Sequence, residues 1–492
     1  MMSEKISSQV LSCAVALGLV ALFGAAVARA DGCYTIVVGK NASADGYVIM
    51  AHNEDDAAPQ IVNHHKVPRM KHSPAEKVNL LFSGEVDQVE ETWAYIWSEM
   101  PGMMFSDSYV NEWGLCIASD ACPSREDRPE ISDGGISYML RRLVAQRAKT
   151  AREGVLIAAE LVERFGYEAC GRTYIISDPD EGWLFCAVGG KYWLSQKVSD
   201  NEVAVLANTF TVHQVDLADP DRFLASADII NYAVSRGWYD PETKTPFDFA
   251  VAYADSQAAS DSSNFCRQWA GLRHIARDPI PLGEALPFSV VPKHKLDVAS
   301  VMQIMRDHYE GTELYQISTR TGSPHQTGLN TICNGTTQTS FVVQLRRNVP
   351  LDVGVAYWVC LAPPCASCYL PFHFGITSFP AGFSDRGEQP SGDFYLRQVQ
   401  APFQGDPFEA FWTFSNFHHT VVGDYGNKIT GVRVVVEEVE TRALTLQKPL
   451  EQAALELYPV DKTTALAMLA NYSNGIYLSA VEAMVRVLAE RR

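Results

Sequence analysis

Cys33 is the residue whose type and place in the chain point most directly to chemistry. It stands just after an export-type leader and opens a run of strand-forming residues, Tyr34 to Val38. A thiol attacks as its thiolate, so the first question is what removes its proton. If Cys33 becomes the first residue of a mature chain, its own α-amine lies beside its thiol. In an unfolded peptide an α-amine titrates at about 7.7 to 8.0 and a cysteine thiol at about 8.5. The amine is thus matched to take the thiol proton near neutral pH and to return a proton to a leaving amine. A base held in place in this way contributes about 10²- to 10⁴-fold. In mid-chain the same nitrogen is an amide without basicity, so processing would switch the chemistry on.

The leader carries the signs of processing. Lys5 is followed by an apolar run from Val10 to Ala28 and then by Ala28-Arg29-Ala30, the order of a secretory signal peptide. Cutting after Ala30 leaves Asp31-Gly32-Cys33, and cutting after Gly32 leaves Cys33 at the front. The alternatives are an uncleaved anchor, since roughly 20 apolar residues span a bilayer, and a lipid on Cys33. The expectation is an exported protein, periplasmic or secreted, that meets a membrane only through the signal segment before cleavage. Residues 1–30 are read as signal, with cleavage extending as far as 32. Residues 33–290 form a catalytic core, and 291–492 continue the same unit with extra strands and C-terminal helices.

The bulk properties exclude several classes. The chain has 492 residues, 47% of them hydrophobic, and a net charge of -18. With no clustered Lys and Arg, nucleic acid is not an expected partner. Of eleven cysteines, Cys13 leaves with the signal; the nine besides Cys33 cannot all pair within one chain. Cys365-Ala-Ser-Cys368 has half of a zinc or redox spacing but no second pair. His64-His65 and His418-His419 are neighbours, which on a strand point to opposite faces. No HExxH, serine-hydrolase elbow or phosphate loop is present. No metal and no cofactor are therefore expected; a small peptide is the expected partner, and association into a homo-oligomer is left open.

The elements that would position Cys33 follow from pattern. Tyr34 to Val38, the Asp45-Gly46 turn and Tyr47 to Ala51 read as a β-hairpin. A second strand pair is placed around Glu91 to Trp97 and Gly114 to Ala118. Ile136, Met139, Leu140, Leu143 and Val144 recur at helical spacing, with the Arg141-Arg142 side outward. A further helix runs from Thr150, whose capping box closes at Glu153, to Gly166. A meander follows: Thr173 to Ser177, Trp183 to Val188, Tyr192 to Lys197 and Val203 to Ala207, with Trp93, Trp97, Trp183 and Trp193 read as core or pocket wall. Helical segments are expected near Arg222 to Arg236, over Val298 to Tyr309 and from about Leu450, and strands at Ser340 to Leu345 and Gly354 to Leu361. Blocks of strands and helices, rather than alternation, argue for an α+β fold.

The stretch Cys33 to Asp55 resembles the start of the cysteine dipeptidases of the N-terminal nucleophile hydrolases. These are relatives of secernins and, more distantly, of bile salt hydrolase and penicillin V acylase. The likeness is carried by Cys33, Gly39, the Asp45-Gly46 turn and Asn53-x-Asp55, then by Asn111-Glu112-Trp113-Gly114-Leu115 and Leu206-Ala207-Asn208. It continues in Asp216 to Asp221, Arg267-Gln268-Trp269 and the stretch from Gln326 to Phe379. It implies a four-layer αββα sandwich with the nucleophile on an edge strand between the sheets, and hydrolysis of a dipeptide through an acyl-enzyme. By position, Cys33 attacks, Asp55 orients its amine, Asn208 donates to the oxyanion, and Arg267 sits near the nucleophile, with Arg273 as the alternative register. One residue of Ser119-Asp120-Ala121 completes the site. Relatives carry Arg or Lys where this chain has His52, which is charged only below about pH 6.5 unless perturbed. His52 thus implies a shifted pH optimum or a disabled site. The alternatives are an N-acyl amino acid amidase on the same frame and a catalytically disabled binding protein.

Overall fold

The computed structural model describes residues 32–56, 62–100, 106–383 and 409–489; the leader read from residues 1–30 lies outside them. The first half supplies β1 (Tyr34–Val38), β2 (Val48–Asp55), β3 (Asn63–Val67), β4 (Tyr95–Glu99), β5 (Ser106–Asn111) and β6 (Cys116–Ala121). After α1 (Met139–Arg147) and α2 (Ala151–Phe165) come β7 (Tyr167–Ser177), β8 (Gly182–Gly190), β9 (Trp193–Lys197), β10 (Val203–Leu206) and β11 (Phe223–Ala225). Beyond these lie α3 (Ser262–Ile275), β12 (Ser289–Val290), α4 (Val298–Ile304), β13 (Thr337–Leu345), β14 (Val355–Leu361) and β15 (Leu370–His373). Three helices close the chain: α5 (Ala410–Val422), α6 (Tyr425–Leu457) and α7 (Lys462–Ala489).

Two antiparallel sheets carry the architecture. One has seven strands in the order β12-β10-β1-β2-β13-β14-β15, the other eight in the order β11-β9-β8-β7-β6-β5-β4-β3. Side chains alternate across a strand, and the eight-stranded sheet uses both faces. Ala118, Ile175, Leu184 and Cys186 join the core shared with the seven-stranded sheet, whereas Ile117, Ile176, Trp183 and Phe185 pack with residues of α1 and α2. The outer face of the seven-stranded sheet is covered by α3 on β10, α4 on β13, α5 on β14 and α7 on β15. The layers run helix, sheet, sheet, helix, as expected. Because β13 to β15 belong to the same sheet as β1, residues beyond 290 complete the core.

Several expectations are corrected. β1 is an internal strand, flanked by β10 and β2, not an edge. Arg141 and Arg142 are both buried, so this side of α1 faces inward. Near Arg222 to Arg236 the chain forms β11 and only a short helix, Ile229–Ser235, and α4 ends at Ile304 rather than Tyr309. The C-terminal helices begin at Ala410, well before Leu450, and the strand expected over Glu91 to Trp97 is split into a two-residue strand, Glu91–Thr92, paired with Met70–Lys71, and β4 from Tyr95. The N-cap half of the capping box stands, with Thr150 Oγ1 accepting from Glu153 N at 3.2 Å, while Glu153 Oε2 accepts from the Lys149 amide at 2.8 Å; Gly166 ends α2. Asn111 explains its motif structurally. Its Nδ2 donates to the Ala145 and Ala148 carbonyls at the end of α1, and its Oδ1 accepts from Trp113 and Leu115 amides.

One contact sets where α3 lies. A Cβ on Gly271 would fall 1.7 Å from Tyr34 Oη, so only glycine lets the helix rest on β1. Arg267, one turn earlier on the same face, is thereby brought over Cys33. Gly271→Ala is expected to destabilise the protein by about 1–3 kcal/mol through overpacking. Adding Tyr34→Phe, which removes the clashing hydroxyl, recovers part of that loss in denaturant melts.

Candidate active site

Cys33 directly precedes β1, and the period of two puts it on the face that carries Thr35, toward the eight-stranded sheet. Its β2 neighbours on that face are His52 and Glu54; Thr35 is paired with His52 in register. The thiol is 5% exposed and points to Glu54 Oε2 at 3.4 Å, with the Asp55 carbonyl at 3.8 Å. Burial pushes the thiol pKa well up, and Glu54, Asp120, Asp55 and Asp107 add to the effect in that order. With the preceding residues attached, the thiol therefore stays protonated at neutral pH.

His52 has no solvent exposure and is enclosed by acids. Its Nε2 lies 3.2 Å from both Glu54 Oε2 and Asp107 Oδ2, and its Nδ1 lies 3.2 Å from Asp120 Oδ1 and 2.9 Å from Thr35 Oγ1. Burial alone would lower the imidazole pKa, but Asp107, with help from Asp120 and Glu54, holds it well above the usual histidine value. His52 is thus a standing cation, which removes the expected loss of charge above pH 6.5. Glu54, partly exposed beside Asp107, has its pKa pushed well up, by burial first and by Asp107 next. Asp107 lies well below the usual carboxylate range: burial opposes this, but the His52 charge and hydrogen bond override it. Arg141 adds an ion pair to Asp107 at 3.3 Å and a hydrogen bond to Ser119 Oγ at 2.7 Å, and Arg172 donates to the same Oγ at 3.1 Å.

Asp55 and Asn53 point to the other face of β2. Asn53 Nδ2 donates to the carbonyls of Met305 at 3.1 Å and Ile332 at 2.8 Å, and Asn334 Nδ2 donates to Asp55 Oδ2 at 2.6 Å. Burial raises the Asp55 pKa to about 7, against the pull of Thr337, Arg267 and Asn334. Gly32 fits between these groups: a Cβ there would stand 2.5 Å from Asn334 Nδ2 and 2.7 Å from Asp55 Oδ2. Arg267, fully buried, donates through Nη1 to the Gly32 and Cys33 carbonyls and through Nη2 to Asn208 Oδ1 at 3.0 Å and Asn264 Oδ1 at 2.8 Å. Asn208 has φ +48°, a left-handed conformation that Asn tolerates better than most residues. Its Nδ2 donates to the Ala121 carbonyl at 3.1 Å.

Cys33, His52, Asp55, Asn208 and Arg267 therefore converge. Arg273 does not; it faces Asp307 at 3.2 Å and the Glu310 carbonyl. Of Ser119-Asp120-Ala121, Asp120 reaches His52, while Ser119 and the Ala121 carbonyl anchor neighbours. Sequence reasoning missed Asp107, Arg141, Arg172 and Asn334, and passed over Glu54 between Asn53 and Asp55. Only Glu54 and Asp120 left a signal, through their place in segments already marked. The sets Cys33, His52, Asp120 and His52, Glu54, Asp107 are compact enough to suit an ion, yet both imidazole nitrogens already have hydrogen-bond partners.

A cysteine heading a central strand between two sheets, with a buried amide and guanidinium over it, is the arrangement of a cysteine hydrolase. The family model described as Peptidase family C69 matches residues 32–401, and the chain belongs to that family. A probable dipeptidase of Latilactobacillus sakei is 27% identical over 70% of this chain and 74% of its own. One of Salmonella dublin is 26% identical over 72% and 83%, and a dipeptidase of Bifidobacterium longum is 22% identical over 86% of each. Among solved structures, a conjugated bile acid hydrolase of Clostridium perfringens aligns with a TM-score of 0.37 and 13% identity over 70% of this chain and 92% of its own.

His52→Gln removes the cation from three carboxylates and is expected to cost about 3–5 kcal/mol. The pH dependence carries its sign. The pKa of His52 is raised on folding, so its contribution is full below about pH 6.5 and is lost as pH rises through the higher folded value. That of Asp107, whose pKa is lowered, is present above about pH 3.9 and lost as pH falls through the lower one. The stability gap between wild type and His52→Gln, followed by urea melts, is thus greatest between these limits and narrows on either side. His52→Arg keeps most of the stability.

Proposed function

We propose that this chain is an exported dipeptidase whose nucleophile is the thiol of a Cys33 made N-terminal by processing. The observation that carries the reading is the fit of Gly32 between Asp55 and Asn334, with its carbonyl on Arg267. The residue before the nucleophile occupies the space beside Asp55, a carboxylate placed to receive a freed α-amine. The names of the family relatives support the dipeptide as substrate, and the leader ending at Ala30 supports export.

In the mature chain the amine of Cys33 takes the thiol proton, and the thiolate attacks the carbonyl carbon of the substrate's peptide bond. The oxyanion that forms accepts from Asn208, whose Nδ2 has a second hydrogen beyond the one given to Ala121. Collapse breaks the C–N bond, the ammonium protonates the departing amine, and a thioester remains. Water, deprotonated by the same amine, releases the acid and restores the thiol. Asp55 orients the amine, and Arg267, bound to the Cys33 carbonyl, is a positioning residue. His52 holds the carboxylates beneath the thiol and keeps them from further raising its pKa.

Cys33→Ala is expected to abolish dipeptide hydrolysis, and Asp55→Asn to lower kcat by about 10²- to 10⁴-fold. Mass spectrometry of active protein should find Cys33 first and unmodified. Asp31 or a lipid at the front of fully active enzyme would defeat the amine mechanism. Faster turnover of N-acyl amino acids than of any dipeptide in a matched panel would move the substrate class. Gly32→Leu should slow the appearance of the Cys33 terminus, since its side chain would displace Asp55 or Asn334.

A further inference from the structure

Next to Asn334, the partner of Asp55, four side chains from four separate segments turn toward one point. His308 follows α4, His325 lies in the short helix Pro324–Gln326, Cys333 precedes β13, and Cys365 lies in the short helix Pro364–Ala366 after β14. Their ligand atoms all lie within 4.8 Å of one another. His308 Nε2 and His325 Nε2 are 2.9 Å apart, and His325 Nε2 is 3.6 Å from Cys365 Sγ and 3.8 Å from Cys333 Sγ. A tetrahedral ion with nitrogen at about 2.0–2.1 Å and sulfur at about 2.3 Å has edges of about 3.3 Å between nitrogens and about 3.6 Å from nitrogen to sulfur. The observed separations lie near those edges.

We propose that His308, His325, Cys333 and Cys365 form a structural site for a zinc-class divalent cation. Two thiolates and two imidazoles are the donor set that favours such an ion over calcium or magnesium. Binding needs both thiols as thiolates and both imidazoles neutral at the ligand nitrogen, and the pair of thiolates neutralises the ion in a buried setting. The surroundings fit a ligand role. Glu310 Oε1 accepts from His308 Nδ1 at 3.0 Å, and Glu310 Oε2 accepts from the His308 amide at 2.7 Å. This turns His308 Nε2 toward His325, Cys333 and Cys365 as the ligand atom, oriented as metal-bound histidines commonly are. Cys365 and Glu310 also line a cavity of about 860 Å³, which gives an ion a way in.

The site would order the segment that supports Asp55. Cys333 is flanked by Ile332, whose carbonyl accepts from Asn53, and by Asn334, which donates to Asp55. Fixing Cys333 to His308 and Cys365 holds that segment against β2 without placing the ion in the reaction. The CxxC pair contributes one ligand only, Cys365, since Cys368 is not in the cluster.

The test uses full-length protein purified without chelator. Elemental analysis is expected to give about one zinc per chain, retained in Cys33→Ala and Cys368→Ser and lost in Cys365→Ser and His308→Ala. Cobalt loaded into protein stripped with chelator should give tetrahedral d–d bands and thiolate-to-cobalt charge transfer. Chelation should lower Tm, and zinc alone should restore it. The cobalt spectrum of the wild-type chain stands even where a variant fails to fold. A wild-type chain without bound metal, a Cys333–Cys365 disulfide in a non-reduced peptide map, or metal lost in His52→Gln but kept in Cys365→Ser would overturn the proposal. None of these outcomes depends on dipeptide hydrolysis, so the site and the proposed activity fail separately.

Discussion

A histidine without solvent contact, bonded to three carboxylates, is the constraint on which the site depends. His52 and Glu54 come from the seven-stranded sheet, while Asp107 and Asp120 come from the eight-stranded one. The pair of sheets is therefore joined at this point by charge rather than by apolar contact. Removing a charge from water costs several kcal/mol per ion unless its partners are well placed. Two of these partners are held in turn by others, Asp107 by Arg141 and Asp120 by Thr35, while Arg141 and Arg172 both reach Ser119, the neighbour of Asp120. The network fixes one spacing of the sheets at the level of Cys33, and the hydrophobic core around it accepts that spacing.

Within this network the departure at His52 changes meaning. An arginine at this position would be charged whatever surrounded it, whereas histidine depends on its neighbours for charge. Asp107, Asp120 and Glu54 supply that dependence. The two nitrogens of the ring reach acids on opposite sides, a geometry that a planar imidazole fills with little conformational freedom to lose. The charge that the resemblance leads one to expect from arginine here is kept on His52 by its surroundings.

What could be read in the sequence was what is local or carried by family likeness. The β1–β2 hairpin, the N-cap of α2, and the placement of Cys33, Asp55, Asn208 and Arg267 come from such signals. The carboxylate cluster could not be read, because Asp107 and Asp120 belong to another sheet and adjacency across layers leaves no spacing in the chain. Arg141 was misplaced for a related reason. Helical periodicity divides an apolar from a polar face, but it does not say whether the polar face meets water or a buried acid. The internal position of β1 was hidden too, since β10 arrives from far along the chain to flank it. The His308, His325, Cys333 and Cys365 cluster is the extreme case, with each ligand on its own segment.

The same electrostatics bear on why processing would matter. With Gly32 in place the thiol is buried and its pKa is pushed up, first by burial and then by Glu54, Asp120, Asp55 and Asp107. Asp55, at about 7, is poised between its two forms. In the proposed mature chain an ammonium would appear beside Asp55. That charge would favour the carboxylate and offset the acids that hold the thiol protonated. Loss of residue 32 would also clear the space that its backbone fills. Base, counter-ion and access would then arise from one cut, and the long leader would keep a reactive thiol latent until export. In the proposed mature chain this economy would follow from a nucleophile at the first residue, with Arg267 on its carbonyl so that a freed amine would not free the strand.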